Sequence, residues 1–149
     1  MEFINRENAA SMAYDLGLPD VVLGIINNQI PERIADYIST PMVYSLDAAE
    51  QDAYGYGRIL PLMAVANSSI VYAYDFSRRD YFGFFWDGDI ESRYESWNDL
   101  MREVVARTVD VVWDDQDRDE VFEILLAIFD GFEIDNLEEI FNDICNSSA

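Results

Sequence analysis

The chain has 149 residues, half of them hydrophobic and 14% aromatic, with thirty carboxylates against nine cations and a formal net charge of −21. Charge of that sign repels phosphates, which need Lys or Arg to displace their counterions, so direct nucleic-acid binding and attachment to an anionic membrane surface are excluded as primary roles. All nine cations are Arg, with neither His nor Lys, which removes Ser-His and Cys-His nucleophiles, His-bearing zinc sites, Schiff bases and the P-loop lysine.

This length predicts one domain over residues 1–149 with a sizeable core. From Ile4 to Leu16 the pattern is helical, closed by Gly17 and followed by Pro19. Val21, Val22, Leu23, Ile25 and Ile26 read as a short buried helix. Pro31 suits a first helical position, with Ile34, Tyr37 and Ile38 following at helical spacing up to Thr40. Met1-Glu2-Phe3-Ile4-Asn5 lacks the basic start and apolar stretch of a signal peptide, no apolar run nears the roughly 20 residues of a membrane span, and Cys145 is the only cysteine. A cytoplasmic protein is the expectation.

The period then changes. Met42 to Leu46, Ile59 to Ala66, Ser69 to Phe76 and Tyr81 to Trp86 are rich in β-branched and aromatic residues, separated by turn formers at Asp47 to Gly57, Asn67-Ser68, Ser77 to Asp80 and Asp87-Gly88-Asp89. This predicts an antiparallel meander of about four strands. Alternation puts Ile70, Tyr72, Tyr74 and Phe76 on one face of the third strand and Val71, Ala73 and Asp75 on the other, with core packing the expected role of the aromatic face.

Beyond the Asp-Gly turn the helical period returns. Ser96 and Asp99 resemble a capping box, and Trp97, Leu100, Met101, Val104, Val105, Thr108 and Val112 make one apolar stripe. Asp114 to Glu120 reads as a charged corner. Val121, Phe122, Leu125, Leu126 and Phe129 continue as an amphipathic helix ending near Gly131, and Asp135 with Glu138 is expected to cap a last helix through Ile140, Phe141 and Ile144. The predicted class is α+β, a meander flanked by N-terminal and C-terminal helices, with an acidic helical portion over 96–149.

Charge is polarised along the chain. Asp87 to Ala149 carries nineteen acids and four arginines, a net of −15, against −6 for Met1 to Trp86. Solubility of a small domain needs a net charge of only about 2 to 8, so the surplus points to a basic partner, which such a field steers into contact. The acids expected at that surface are Asp87, Asp89 and Glu91 before the long helix, and Asp114, Asp115, Asp117, Asp119, Glu120 and Glu123 after it; Trp86, Tyr94 and Trp113 are the candidate aromatic anchors. Each aromatic has an alternative place in the core.

Other chemistries fit less well. With Asp115 as position one of a calcium loop, Asp117 and Asp119 fall correctly, but Glu120 stands where Gly is needed and Leu126 where the bidentate Glu is needed. A looser divalent site at these acids or at Asp87 and Asp89 stays open, although no metal or cofactor is expected. Carboxylate-pair catalysis cannot be singled out, because among thirty acids every pairing arises by chance. Six carboxylates between Asp114 and Glu123 would, on a helix, put roughly one charge per 2.5 Å, comparable with about one per 1.7 Å in B-DNA. That keeps a phage-type DNA mimic acting on DNA-binding defence proteins as an alternative, although the dense stretch covers only about 15 Å.

The order of features resembles the SMI1/KNR4 superfamily, the SUKH domains. The likeness rests on the N-terminal helix running into Leu16-Gly17-Leu18-Pro19, on Gly57-Arg58-Ile59-Leu60-Pro61 leading into a strand, on the aromatic hairpin from Ser69 to Trp86, and on Tyr94-Glu95-Ser96-Trp97 opening the long helix. It spans about residues 5 to 113; Ile26-Asn27-Asn28-Gln29 departs from the family's Gly-Gly segment, and the acidic tail has no counterpart in the pattern. The resemblance implies a bacterial immunity protein without catalytic residues, which neutralises a cognate toxin, often a nuclease, by binding it. Residue chemistry and resemblance thus lead to the same expectation: a non-enzymatic acidic protein occluding the active site of a basic toxin or nucleic-acid-binding enzyme. The sequence does not set the oligomeric state.

Overall fold

Asn5 lies in extended backbone and accepts the Asn8 N–H at 2.8 Å, the cap that starts α1 (Arg6–Asp15). Gly17, at φ +76°, closes it, with its N–H on Tyr14 and that of Leu18 on the Ala13 carbonyl. Asn28, at φ +59°, closes α2 (Asp20–Ile26) the same way, and Gln29 donates to the Gly24 carbonyl at 2.7 Å. A Cβ on Gly24 would come within 2.9 Å of the Gln29 oxygen, so this closure needs glycine there. The computed structural model describes residues 4–54, 59–65, 70–85, 89–113 and 117–147.

The next stretch departs from expectation in three places. The third helix stops after four residues, α3 (Glu32–Ala35), and Ile38–Ser39 becomes a short strand, β1, paired with Val65 and Ala64. Met42–Ser45, expected as a strand, is a 3₁₀ turn: Pro41 fixes φ at −58°, and the Leu46 N–H closes on Val43. Composition favoured β, but the proline ahead of it and local hydrogen bonding set the backbone. Ala48–Tyr54, expected within a turn, is helix α4, opened by a reciprocal box in which Asp47 accepts the Glu50 N–H at 2.9 Å and Glu50 accepts the Asp47 N–H at 3.2 Å.

Three expected strands appear as β2 (Ile59–Val65), β3 (Ile70–Asp75) and β4 (Asp80–Phe85). A further one, β5 (Ile90–Tyr94), is outside the expected meander because Glu91 and Arg93 interrupt its apolar content. The five-stranded sheet runs β1-β2-β3-β4-β5, antiparallel throughout, which is the predicted α+β class. Register sets Tyr72 opposite Gly83, and a Cβ on Gly83 would lie 3.0 Å from the Tyr72 ring, so glycine makes room for it. Helices α1 and α2 pack on each other and on β2.

Ser96 accepts the Asp99 N–H at 3.1 Å and opens α5 (Trp97–Val112), whose apolar stripe is buried against β2, β4 and β5. The aromatic sheet face lies beneath it, except for Phe76, which follows β3 and is exposed instead of core: the Tyr81 and Trp97 rings are 5.8 Å apart, and the Trp97 indole donates to the Phe132 carbonyl at 2.8 Å. Asp117 caps α6 (Arg118–Ile128) by accepting the Glu120 N–H at 2.9 Å, and Gly131 at φ +86° follows it. Asp135 gives its backbone N–H to Asn98 at 2.9 Å, and α7 (Leu137–Ser147) starts with the Ile140 N–H on the Asn136 carbonyl. Helices α5, α6 and α7 pack on one another. No helix among the described residues is long and apolar enough to cross a membrane.

Candidate acidic interface on the C-terminal helices

Burying one stripe of each helix forces the remaining charged positions outward. On α5 these include Asp99, Glu103 and Asp110, which with Ala106 make a row at helical spacing that runs roughly 16 Å along the axis. Facing it across a cleft of about 450 Å³ are Ile140, Asp143 and Ile144 of α7, with Tyr94 at one wall. Arg102 reaches across to Asp143 at 3.2 Å; both are about half exposed, 47% and 54%, so the pair contributes at most about 1 kcal/mol. Four carboxylates and one guanidinium thus line the cleft.

Beneath its rim, β5 is knitted to α5. Arg107 donates to Glu103 at 2.6 Å and to Glu91 at 3.1 Å, and the Tyr94 hydroxyl donates to Glu91 at 3.3 Å. Burial pushes the Tyr94 phenol up to about 12, with Glu103 and Glu91 adding to the rise and a hydrogen bond from Ser92 opposing it. Tyr72, fully buried, lies with its ring 6.5 Å from that of Tyr94, and its hydroxyl has no hydrogen-bond partner among the described residues. Burial, then the Glu103 charge, pushes its pKa far upward, against the pull of Arg107.

A second groove, of about 640 Å³, separates α7 from α6. Phe122, Leu126 and Leu137 form its apolar floor, with Glu138, Glu139, Asn136 and Asn142 around it. Phe122 stacks on Phe141 at 5.4 Å, and Trp113, the C-terminal cap of α5, lies 6.1 Å from the same ring. Arg118, the single cation from Asp110 to the end of the chain, sits 5.7 Å over the Phe141 ring and donates to Asn142.

The expected interface residues therefore fall in two places. Glu91 and Tyr94 join Glu103 and Arg107 beside the α5 cleft, and Asp89, exposed, precedes β5 with its carbonyl accepting the Phe85 N–H. Asp119, Glu120 and Glu123 are exposed on α6 next to Asp117, its cap, and Trp113 is 42% exposed at the adjoining end of α5. Trp86, Asp87, Asp114 and Asp115 lie outside the described residues. Sequence reasoning missed Glu103, Asp110 and Asp143, and Glu138 and Glu139 as groove residues. The spacing of Asp99, Glu103 and Asp110 on the polar side of the strongest helix was the signal for the first group.

Helix electrostatics explains part of this crowding. Asp99, Asp119, Glu120, Glu138 and Glu139 all occupy first turns, where the partial positive charge of the helix N-terminus offsets their mutual repulsion. None of these helices has a basic residue of its own in its last turn; α6 is met there by Arg33 of α3, which donates to the Ala127 and Ile128 carbonyls. Of the described acids from Asp89 onward, all but Glu91 and Glu103 are exposed. The N-terminal helices also expose acids, among them Glu7, Asp15 and Asp20. Among the described residues, no three carboxylates or thiols converge where they could hold a metal ion. No family model, no curated protein and no solved structure matches the chain.

Proposed function

We propose that this chain is a non-enzymatic acidic inhibitor, an immunity protein that neutralises a cognate basic toxin in the cytoplasm by covering its active site with helices α5 to α7. One observation carries the reading: the described acids of the C-terminal half, all but Glu91 and Glu103, stand exposed around these helices, while the four arginines of that half are held by other groups. Arg93 binds Asp75 and Asp80 of the preceding hairpin at 3.3 and 2.9 Å; Arg107 and Arg102 engage Glu91, Glu103 and Asp143; Arg118 lies on Phe141. The resemblance to SUKH domains supports the same role. A mimic of duplex DNA is less well served by this geometry: α6 spans about 16 Å, under half a duplex turn of about 34 Å, and an imitation phosphate track gains nothing from Leu126 and Phe122 in the same groove.

The test is stopped-flow association with candidate basic effectors, together with inhibition of their activity. Charge steering should accelerate capture by at least tenfold at low salt relative to physiological salt. A capture rate indifferent to salt, or binding that leaves the effector fully active, would remove the proposal.

A further inference from the structure

The α6/α7 groove differs from the α5/α7 cleft in what lines it. Its floor is Phe122, Leu126 and Leu137, and its charged side chains are both anionic, Glu138 and Glu139. Leu126 is 48% exposed although it is large and apolar, and Glu123 and Asp119, three and seven residues earlier, flank it along the outer face of α6. Of the described cations near α6, Arg118 is turned onto Phe141 and Asn142, and Arg33 is held by the Ala127, Ile128 and Asp130 carbonyls. An apolar trough with an anionic rim, lined by Phe122 and Leu126 on one side and by residues from Asn136 to Asn142 on the other, runs about 9 Å along α7, room for about two turns of an added helix.

From this geometry we infer that the groove seats an amphipathic helix of the partner protein, whose apolar side packs on Leu126, Phe122 and Leu137 while its flanking arginines or lysines meet Glu138, Glu139 and Glu123. The inference rests on the proposed inhibitory reading and specifies how the partner is held. Charge complementarity selects the occupant. A second copy would set another −15 half against this one. An anionic lipid surface or a nucleic acid would bring phosphates to the same rim, and both require cations the groove lacks. A cationic helix alone gains from floor and rim together, with anchors at i, i+3, i+4 and i+7 spacing.

The probe is a synthetic Leu/Arg peptide with its leucines at that spacing, compared with a scrambled peptide of identical composition, by fluorescence anisotropy at low and physiological salt. The patterned peptide should bind at least tenfold more tightly than the scrambled one. Leu126→Gln, which leaves the charge unchanged at an exposed position, should erase that difference. The pair Glu138→Gln and Glu139→Gln should weaken the patterned peptide several-fold and flatten its salt dependence, whereas Glu7→Gln with Asp15→Asn, which removes the same charge from α1, should not. Circular dichroism verifies each variant's fold, and either groove variant alone suffices to decide. Equal binding of the two peptides, unmoved by Leu126→Gln, would overturn the groove and leave the acidic-face reading standing; binding of neither peptide would remove both. A dimer in sedimentation that Leu126→Gln dissolves would overturn the inference by giving the groove to a second copy.

Discussion

Gln51 and Tyr72 are both fully buried polar side chains, and the fold satisfies only one of them. The Gln51 amide accepts from the Ile4 N–H at 2.8 Å and donates to the Ile4 and Val43 carbonyls at 2.7 and 3.2 Å, fastening the segment ahead of α1 to α4. The Tyr72 hydroxyl, by contrast, has lost water and gained no partner among the described residues, a condition that costs about 1–3 kcal/mol for a neutral group. Tyr72→Phe keeps the ring against Gly83 and removes the orphaned oxygen. It should raise the unfolding free energy by about 1 kcal/mol in urea titrations. Gln51→Leu should do the reverse, lowering it by about 2–4 kcal/mol, because it orphans both the N–H and the carbonyl of Ile4. Were Tyr72→Phe destabilising, the hydroxyl would have to be bonded in solution, and the unsatisfied-group argument would fail.

At the scale of elements, the join between the two ends of the chain is a helix cap. Arg33 of α3 sends its guanidinium to the last two carbonyls of α6, donating to Ala127 at 2.6 Å and Ile128 at 2.9 Å, and to Asp130 just beyond the helix at 3.1 Å. Helix α6 has no basic residue of its own in its last turn, so this distant cation takes the orphaned carbonyls and offsets the negative end of the dipole. Arg33→Met should destabilise the protein by about 1 kcal/mol, a discounted figure because the site is partly exposed, and hydrogen exchange should speed first at the C-terminal end of α6. This contact was not legible in the sequence, where Arg33 and Ala127 are 94 residues apart. Helices α5 and α6 were legible because their apolar stripes repeat with the helical period over 16 and 11 residues. Short elements were not: the four residues after Pro41 have the composition of a strand, and β5 places Glu91, Ser92 and Arg93 between Ile90 and Tyr94, the charged content of an edge strand. The candidate acidic surface was half legible. Charge totals placed the surplus acids in the C-terminal half, but which acids share a groove depends on how α7 sits against α5 and α6, and no local pattern encodes that.

For the molecule as a whole, a net charge of −21 makes compactness itself electrostatically expensive, and the exposed acids of α5 to α7 are its densest part. Raising ionic strength from about 0.01 to 0.1 M shortens the screening length from about 30 to 10 Å. Thermal unfolding should therefore move upward, by roughly 3–8 °C if screening relieves about 1–2 kcal/mol. The same salt should slow capture of a basic partner, so stability and association rate should respond in opposite directions.

Alkali tests the interior. With no His or Lys in the chain, titration above pH 9 falls mainly to tyrosine, and four tyrosines, Tyr44, Tyr72, Tyr81 and Tyr94, are raised above their ordinary value, each chiefly by burial. In the unfolded chain these phenols release their protons near pH 10, while the folded protein retains them, Tyr94 until about 12. Between those limits the native state holds more protons than the unfolded state, so stability must fall as pH rises; below pH 10 the contribution is fully present. Urea midpoints should hardly change from pH 8 to 9, drop steadily above 10, and the phenolate absorbance of these four should appear together with unfolding rather than ahead of it. Tyr72→Phe should make the descent shallower. Smooth phenolate formation in a protein that stays folded beyond pH 12 would show that the tyrosines under α5 are reached by solvent, contrary to the packing of the helix on the sheet.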